Sequence, residues 1–182
     1  MSDLTLTRVF DAPRDLVFKA WTDTDLGNQW SAPRRFTVTM FDGDLRPGGI
    51  WRLSMRSADG EELWVGGVYR EIVRPERLVM THAWQGPDGT GGHETLITVT
   101  LADRGGRTEM TFRQTGFDSA AERDGHRDGW SECFDRLEEQ LAQEVSDDHR
   151  RALPPLLSLM GIGGMARSRA RVDSVGGRST YQ

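Results

Sequence analysis

Apolar and polar residues alternate along much of this chain up to residue 115, and the alternation predicts a series of β-strands. The pattern is clearest at 50–57, where Trp51, Leu53 and Met55 would share one face and most of the intervening residues are polar. Alternation of this kind is typical of a strand that buries one face in an antiparallel sheet. Similar patterns separated by turn residues predict further strands at 4–10, 36–42, 63–73, 78–85, 95–103 and 107–115.

Two short segments near the start of the chain change to the period of a helix. At 11–23, Asp11 is a candidate N-cap and Pro13 suits a first helical turn. A second short helix is predicted at 25–30, where the following Ser-Ala-Pro ends it. The apolar stripe of the first helix consists of Leu16, Val17, Ala20 and Trp21.

The last strongly periodic stretch of the chain predicts a long helix that begins near Gly129. Because its apolar stripe must be buried, this helix is expected to pack on the sheet. The stripe consists of Trp130, Cys133, Phe134, Leu137 and Leu141, at three- and four-residue spacing. The polar cluster before it is interpreted as a loop and helix start, formed by Asp124, His126, Arg127 and Asp128.

The order of these elements predicts an α+β fold with an internal cavity. One strand, two short helices and a run of about six strands precede the long helix. A single helix does not fill the concave face of a strongly twisted antiparallel sheet, so the two surfaces diverge at one end. A cavity between sheet and helix is therefore expected, and a fully packed interface is the alternative.

Length and composition predict the organisation of the chain. The 182 residues indicate one domain at 1–144. A Gly-, Arg- and Ser-rich tail at 145–182 is expected to be mostly disordered. Its apolar patch at 153–165 leaves open that the tail docks on a partner or on the domain itself.

Charge and cysteine content bear on partners and location. The net charge of −5 argues against nucleic acid as a partner. Cys133 is the only cysteine, which excludes an internal disulfide and favours a cytoplasmic location. The polar N-terminus and the lack of a long apolar run predict neither a signal peptide nor a membrane span.

His82 is the first candidate for chemistry, because it alternates with Met80 and Trp84 on one strand. Facing a cavity, it could orient a ligand carbonyl or hydroxyl group or act as a general base. A structural histidine without such a role is the alternative. His126 could gate the mouth of a cavity, and Cys133 on the buried stripe is interpreted as a small apolar residue.

Neither a metal nor a cofactor is predicted. His93, His126 and His149 lack metal-ligand spacing to another histidine or carboxylate. The glycines at 48–49 are not part of a strand–GxGxxG–helix unit, and no Walker-type lysine follows them.

Several segments together resemble a known family. They include "RVFDAPRDLVFKAWTD", "RPGGIWRLSM", "GGVYREIVRPERLVMTHAW" and "GWSECFDRLEEQL". Their order and spacing over residues 4–143 resemble the activator-of-heat-shock-ATPase-like (AHSA-type) branch of the START/SRPBCC superfamily. One departure is Trp30-Ser31, where the family often has two adjacent tryptophans.

The resemblance implies a helix-grip fold, in which a curved antiparallel sheet of about six to seven strands wraps around a long C-terminal helix. Two short helices after the first strand close one end, and a hydrophobic cavity lies between sheet and helix. Members of the superfamily bind lipids, polyketides and other apolar molecules. Some are cyclases, and the eukaryotic namesake stimulates a chaperone ATPase.

The leading hypothesis is that the protein binds a small hydrophobic, lipid- or polyketide-like ligand without catalysis. One alternative is a cyclase- or hydrolase-like enzyme that uses His82 or His126. Another is an interaction module resembling the chaperone activator, and contact with a second copy in a homodimer is left open. The predicted ligand-binding residues are Trp30, Trp51, Leu53, Met55, Met80, His82, Trp84, Phe112, Trp130 and Phe134.

Overall fold

The computed structural model describes residues 2–152, and it confirms the predicted helix-grip architecture. Seven antiparallel strands form one curved sheet, and a 33-residue C-terminal helix lies against it. The elements follow one another as β1 (Ser2–Phe10), α1 (Arg14–Thr22), α2 (Thr24–Gly27), β2 (Phe36–Gly43), β3 (Ile50–Ser57), β4 (Glu62–Val73), β5 (Arg77–Gln85), β6 (Gly91–Asp103), β7 (Thr108–Phe117) and α3 (Ala120–Ala152).

The strand order of the sheet is β1-β7-β6-β5-β4-β3-β2, so every strand from β2 to β7 pairs with the strand that follows or precedes it in the chain. The N-terminal strand β1 pairs with β7 and forms one edge. The predicted alternation is confirmed on β3, where Trp51, Leu53 and Met55 are all buried. One face of the sheet is therefore apolar, as antiparallel pairing with a single covered face requires.

The helix α3 packs on only one part of that apolar face. Its contacts concentrate on β1 and β7. Phe134 and Leu137 are fully buried there. An ion pair of 2.7 Å between Arg8 of β1 and Asp135 of α3 lies beside this contact. Since α3 stays close to the β1 edge, it diverges from β3, β4 and β5, and the space between them is left for a cavity.

The start of α3 differs from the prediction. The helix begins at Ala120, so the polar cluster at 124–128 is helical and its interpretation as a loop is wrong. The hydroxyl oxygen of Ser119 accepts a hydrogen bond from the backbone N–H of Glu122 at 3.1 Å. The Glu122 carboxylate in turn accepts from the backbone N–H of Asp118 at 3.0 Å. This Ser-x-x-Glu arrangement is close to a capping box and satisfies two backbone donors at the helix start.

The end of α3 also differs from the prediction. The helix continues to Ala152, so the predicted domain boundary at residue 144 falls inside it. Residues 145–152 of the predicted tail are therefore helical, and Val145 packs against the core. The rest of the predicted tail, with its apolar patch at 153–165, lies outside the described residues.

Two smaller predictions are corrected in the same way. Asp11 does not cap α1, since the N-cap position is occupied by Pro13 without a side-chain hydrogen bond. A cap of this type occurs instead at α2, where the Asp23 carboxylate accepts the backbone N–H groups of Asp25 and Leu26. The strand predicted at 95–103 begins earlier, since β6 starts at Gly91 and includes His93. Within residues 2–152, no helix has both the length and the apolar character needed to cross a bilayer.

Candidate ligand cavity

A cavity of about 670 Å³ lies between the sheet and the first half of α3. Residues from β2 to β5 form its floor, and residues 121–133 of α3 form the opposite wall. The segment 31–35, which follows α2, lies along one side. The cavity occupies the place where α3 and the sheet diverge.

Eight of the ten residues predicted to contact a ligand lie on the wall of this cavity. Phe112 and Phe134 do not, because both are fully buried in the core. Their ring centroids lie 4.8 and 5.7 Å from that of Trp130, so both rings pack against Trp130 on the core side. The eight wall residues are Trp30, Trp51, Leu53, Met55, Met80, His82, Trp84 and Trp130.

The sequence prediction missed further residues of the wall. Leu63, Val65 and Tyr69 of β4 share the inward face, but Gly67 interrupts their alternation and obscured the pattern. Gly125 and Gly129 of α3 also line the cavity, and they were missed because the helix begins about two and a half turns earlier than predicted. The other missed aromatic residues of the wall are Trp21, Phe36 and Phe41.

Three of the tryptophans on the wall are held in place through their indole N–H groups. Trp51 donates to the backbone carbonyl of Thr81 at 3.1 Å. Trp30 donates to the carbonyl of Ala20 at 3.0 Å, and Trp130 donates to the side-chain oxygen of Gln114 at 2.9 Å. Because these donors are satisfied by the protein, the rings present mainly their carbon faces to the cavity.

The bond from Trp51 to Thr81 depends on a glycine between them. Trp51 is on β3, Thr81 is on β5, and the indole crosses β4 at Gly67, which pairs with Trp51. A Cβ atom at Gly67 would lie 2.0 Å from the carbonyl oxygen of Thr81. Only glycine allows the strands and the indole to approach this closely.

A buried polar network supports the wall behind Trp130 and His82. The amide nitrogen of Gln114 donates to the hydroxyl of Thr95 at 2.8 Å. That hydroxyl donates to the backbone carbonyl of His82 at 3.0 Å. Gln114 is fully buried and also accepts the Trp130 N–H, so one side chain links α3 to the central strands.

His82 lies on the cavity floor and is 5% exposed. Burial, and next the charge of His126, lower the pKa of His82 to about 3. The imidazole is therefore neutral near pH 7, with one N–H donor and one nitrogen acceptor. Its neighbours are the rings of Trp51, Trp84, His126 and Trp130, whose centroids lie 5.5 to 6.1 Å away.

His126 lies on α3 one turn before Trp130 and faces the same cavity. Its Nδ1 is 2.9 Å from the backbone carbonyl oxygen of Glu122. A carbonyl only accepts, so Nδ1 carries the hydrogen and the neutral ring has its lone pair on Nε2. The ring packs between Phe117 and Trp84. Trp84 is 41% exposed, so the cluster of Phe117, Trp84 and His126 lies at the rim of the cavity and not on its floor.

The charged residues of the cavity lie at its rim. The carboxylate of Glu132 accepts the backbone N–H of Arg34 at 2.8 Å. The Arg34 guanidinium pairs with Glu139 at 2.5 Å, and that of Arg35 with Glu61 at 3.5 Å. These side chains are about half exposed or more, so the interior is lined by uncharged groups.

Cys133 lies on the wall but does not have the character of a nucleophile. Its burial raises the pKa of the thiol to about 12, so it is protonated at neutral pH. Among residues 2–152, no group of three or more histidine, cysteine or acidic side chains is arranged to hold a metal ion.

The curved antiparallel sheet, the long C-terminal helix and the aromatic cavity between them define a START-like helix-grip protein. The family described as "Activator of Hsp90 ATPase homolog 1-like protein" matches this chain over residues 11–142. The chain belongs to that family. None of the curated proteins searched matches the sequence.

Solved structures of bacterial proteins share the fold. The AHSA1 protein from Silicibacter pomeroyi is 23% identical with a TM-score of 0.71, over 79% of this chain and 99% of that one. An uncharacterised protein from Rhizobium leguminosarum is 27% identical with a TM-score of 0.68, over 78% and 95% of the two chains. A protein from Chromobacterium violaceum is 26% identical with a TM-score of 0.68, over 76% and 96%.

Proposed function

We propose that this protein binds a small hydrophobic or aromatic molecule in the cavity between the sheet and α3. The observation that carries the proposal is the cavity of about 670 Å³ with a mostly aromatic and aliphatic wall. Ligand sites in proteins have volumes of roughly 300–1,000 Å³ and a mainly apolar lining with a few polar groups. The cavity matches this description in both size and chemistry.

The cytoplasmic location of the protein stays a prediction.

The two glycines of α3 support the proposal. Gly125 and Gly129 lie inside a helix, where each glycine costs about 1 kcal/mol relative to alanine. A Cβ atom at Gly125 would meet no other atom within 4 Å, so close packing does not require this glycine. Both glycines line the cavity, and their lack of a side chain keeps its helical wall open.

NMR-monitored titration tests the proposal. Fatty acids, lysolipids and aromatic polyketides are added to the full-length protein while the indole N–H signals of the tryptophans are followed. We expect a ligand to shift the signals of Trp51 and Trp130, which lie on the wall. Trp64 is the internal control, because its ring is covered by the Arg52 guanidinium at 4.3 Å and does not line the cavity. The absence of a shift with every compound would contradict the proposal.

A cyclase- or hydrolase-like activity is the second candidate function. It is favoured by His82 and His126, whose rings are in edge contact on the cavity wall. The low pKa of His82 makes it a weak base near pH 7, and neither imidazole is hydrogen-bonded to a carboxylate of the described residues. Turnover of a bound compound that is lost in both His82→Phe and His126→Phe would establish catalysis.

Stimulation of a chaperone ATPase is the third candidate, and only the name of the matching family favours it. The test is the ATPase rate of a bacterial Hsp90-type chaperone with and without this protein. An unchanged rate over a wide range of protein concentration would remove this candidate.

A further inference from the structure

The polar atoms of two largely buried side chains, His82 and Tyr69, open onto the cavity and are not sealed inside the protein. His82 is 5% exposed and Tyr69 is 2% exposed. Neither the His82 imidazole nor the Tyr69 hydroxyl bonds to another of the described residues 2–152. Polar groups in protein interiors usually have a hydrogen-bond partner. Both side chains line the cavity, so a ligand group can supply the missing partner.

The two residues lie on adjacent strands of the cavity floor, but their polar groups point apart, since a Cβ atom at Gly43 of β2 would lie 3.0 Å from the Tyr69 hydroxyl. Tyr69 of β4 pairs with Met80 of β5, and His82 is two residues further along β5 on the same face. Trp51 covers one side of His82, with ring centroids 6.0 Å apart. The polar groups are thus embedded in an otherwise apolar surface.

Both groups are uncharged over a wide pH range. Burial raises the pKa of Tyr69 to about 12, and burial together with His126 lowers the pKa of His82 to about 3. The charged residues of the cavity are at the rim, where Arg34 and Arg35 already pair with carboxylates. An ionised ligand group on the floor would lose its hydration without meeting an opposite charge, which is strongly unfavourable.

We propose that His82 and Tyr69 are the specificity-determining residues of the cavity, and that they select an apolar ring compound with an uncharged hydroxyl or carbonyl group over one with a carboxylate. A ligand hydroxyl group can donate to the free imidazole nitrogen of His82 or accept from the Tyr69 hydroxyl, and a carbonyl group can accept from either residue. This inference rests on the proposed function.

Three probes with the same ring system test it: naphthalene, 2-naphthol and 2-naphthoate. At pH 7 the naphthol is neutral and the naphthoate is ionised, so the probes differ only in their polar group. We expect calorimetric titration of the full-length protein to give about tenfold tighter binding of 2-naphthol than of naphthalene. Binding of 2-naphthoate is expected to be the weakest of the three.

Two variants test which residue causes the difference in affinity between 2-naphthol and naphthalene. His82→Phe and Tyr69→Phe each retain an aromatic ring and remove the polar group. Since one hydroxyl group cannot reach both residues, at least one of the two variants is expected to lower the ratio of 2-naphthol affinity to naphthalene affinity toward one. His149→Phe is the matched control, because His149 lies near the far end of α3 and does not line the cavity. Thermal melting checks that each variant is folded. If the His82 variant does not fold, the Tyr69 variant still provides the test.

The outcomes separate the inference from the proposed function. If none of the three probes binds, both the proposed function and the inference are contradicted. If all three bind with similar affinity, or 2-naphthoate binds most tightly, the proposed function stands and the inference is overturned. If both variants weaken naphthalene and 2-naphthol by the same factor, the two residues only shape the cavity, and the inference is likewise overturned.

Discussion

The imidazole of His82 lies 5.5 Å from that of His126, with the two rings nearly perpendicular at 76°. One ring is on β5 and the other on α3, so this pair spans the cavity between sheet and helix. The other three rings around His82 are indoles, which carry no charge. A positive charge on His126 opposes a second charge on His82, in the same direction as burial.

The first prediction concerns pH. Burial, assisted by His126, lowers the pKa of His82 from its ordinary value of 6.5 to about 3. Between these values the unfolded chain binds a proton at this residue and the folded chain does not. The free energy of unfolding is therefore expected to fall as the pH drops below 6.5, by at most about 1.4 kcal/mol per pH unit from this group. Well above pH 6.5 the group contributes no pH dependence, because it is neutral in both states.

Urea denaturation between pH 7.5 and 5 measures this effect. Other groups also titrate in this range, so the wild type is compared with His82→Phe, which is expected to lose less stability on acidification. His149→Phe should behave like the wild type, because His149 is exposed and far from the cavity. Equal losses in wild type and His82→Phe would show that His82 is not held neutral by the fold.

The second prediction concerns the crossing of Trp51 over β4. In Gly67→Ala, the new Cβ atom would lie 2.0 Å from the carbonyl oxygen of Thr81, and this backbone atom cannot move away without disturbing β5. We expect a loss of about 3 kcal/mol in the free energy of unfolding, measured in urea. Gly125→Ala is the matched control and should gain up to about 1 kcal/mol, because its Cβ atom meets open space inside a helix. Equal effects of the two substitutions would refute this account of Gly67.

The architecture could be predicted from the sequence because each long element has a clear period. The alternation of Trp51, Leu53 and Met55 and the stripe from Trp130 to Leu141 each define one buried face. The resemblance to the family then supplied the closed arrangement of sheet and helix. The start of α3 was missed because the apolar stripe begins only at Trp130, although Ser119 and Glu122 form a recognisable capping pair.

The cavity wall was predicted less completely, for a physical reason. Periodicity shows which residues face inward, but it does not distinguish a face covered by α3 from one that borders empty space. Phe112 of β7 and Phe134 of α3 therefore entered the predicted set, although their rings pack against each other in the core, 5.3 Å apart. Tyr69 was missed because glycine interrupts its strand, and the neutral state of His82 depends on burial that only the fold reveals.

The third prediction tests the cavity through its helical wall. In Gly125→Leu, the added side chain would project from α3 into open space that belongs to the cavity. We expect the affinity for 2-naphthol to fall at least about tenfold, while the free energy of unfolding is not reduced, since leucine favours a helix more than glycine does. Gly125→Ala, which adds a single carbon atom, should retain most of the affinity in calorimetric titration. Unchanged affinity in Gly125→Leu would place any ligand outside this part of the cavity.

The fourth prediction concerns the link between α3 and the central strands. In Gln114→Met, the indole N–H of Trp130 loses its acceptor at 2.9 Å and the hydroxyl of Thr95 loses its donor at 2.8 Å, both in the protein interior. Each unpaired group is costly, and we expect the free energy of unfolding to fall by about 2 kcal/mol. In a Trp130→Phe background the indole donor is already absent, so the same substitution should cost about 1 kcal/mol less. Urea denaturation of the four proteins of this cycle measures the coupling, and additive losses would mean that the bond between Gln114 and Trp130 does not stabilise the fold.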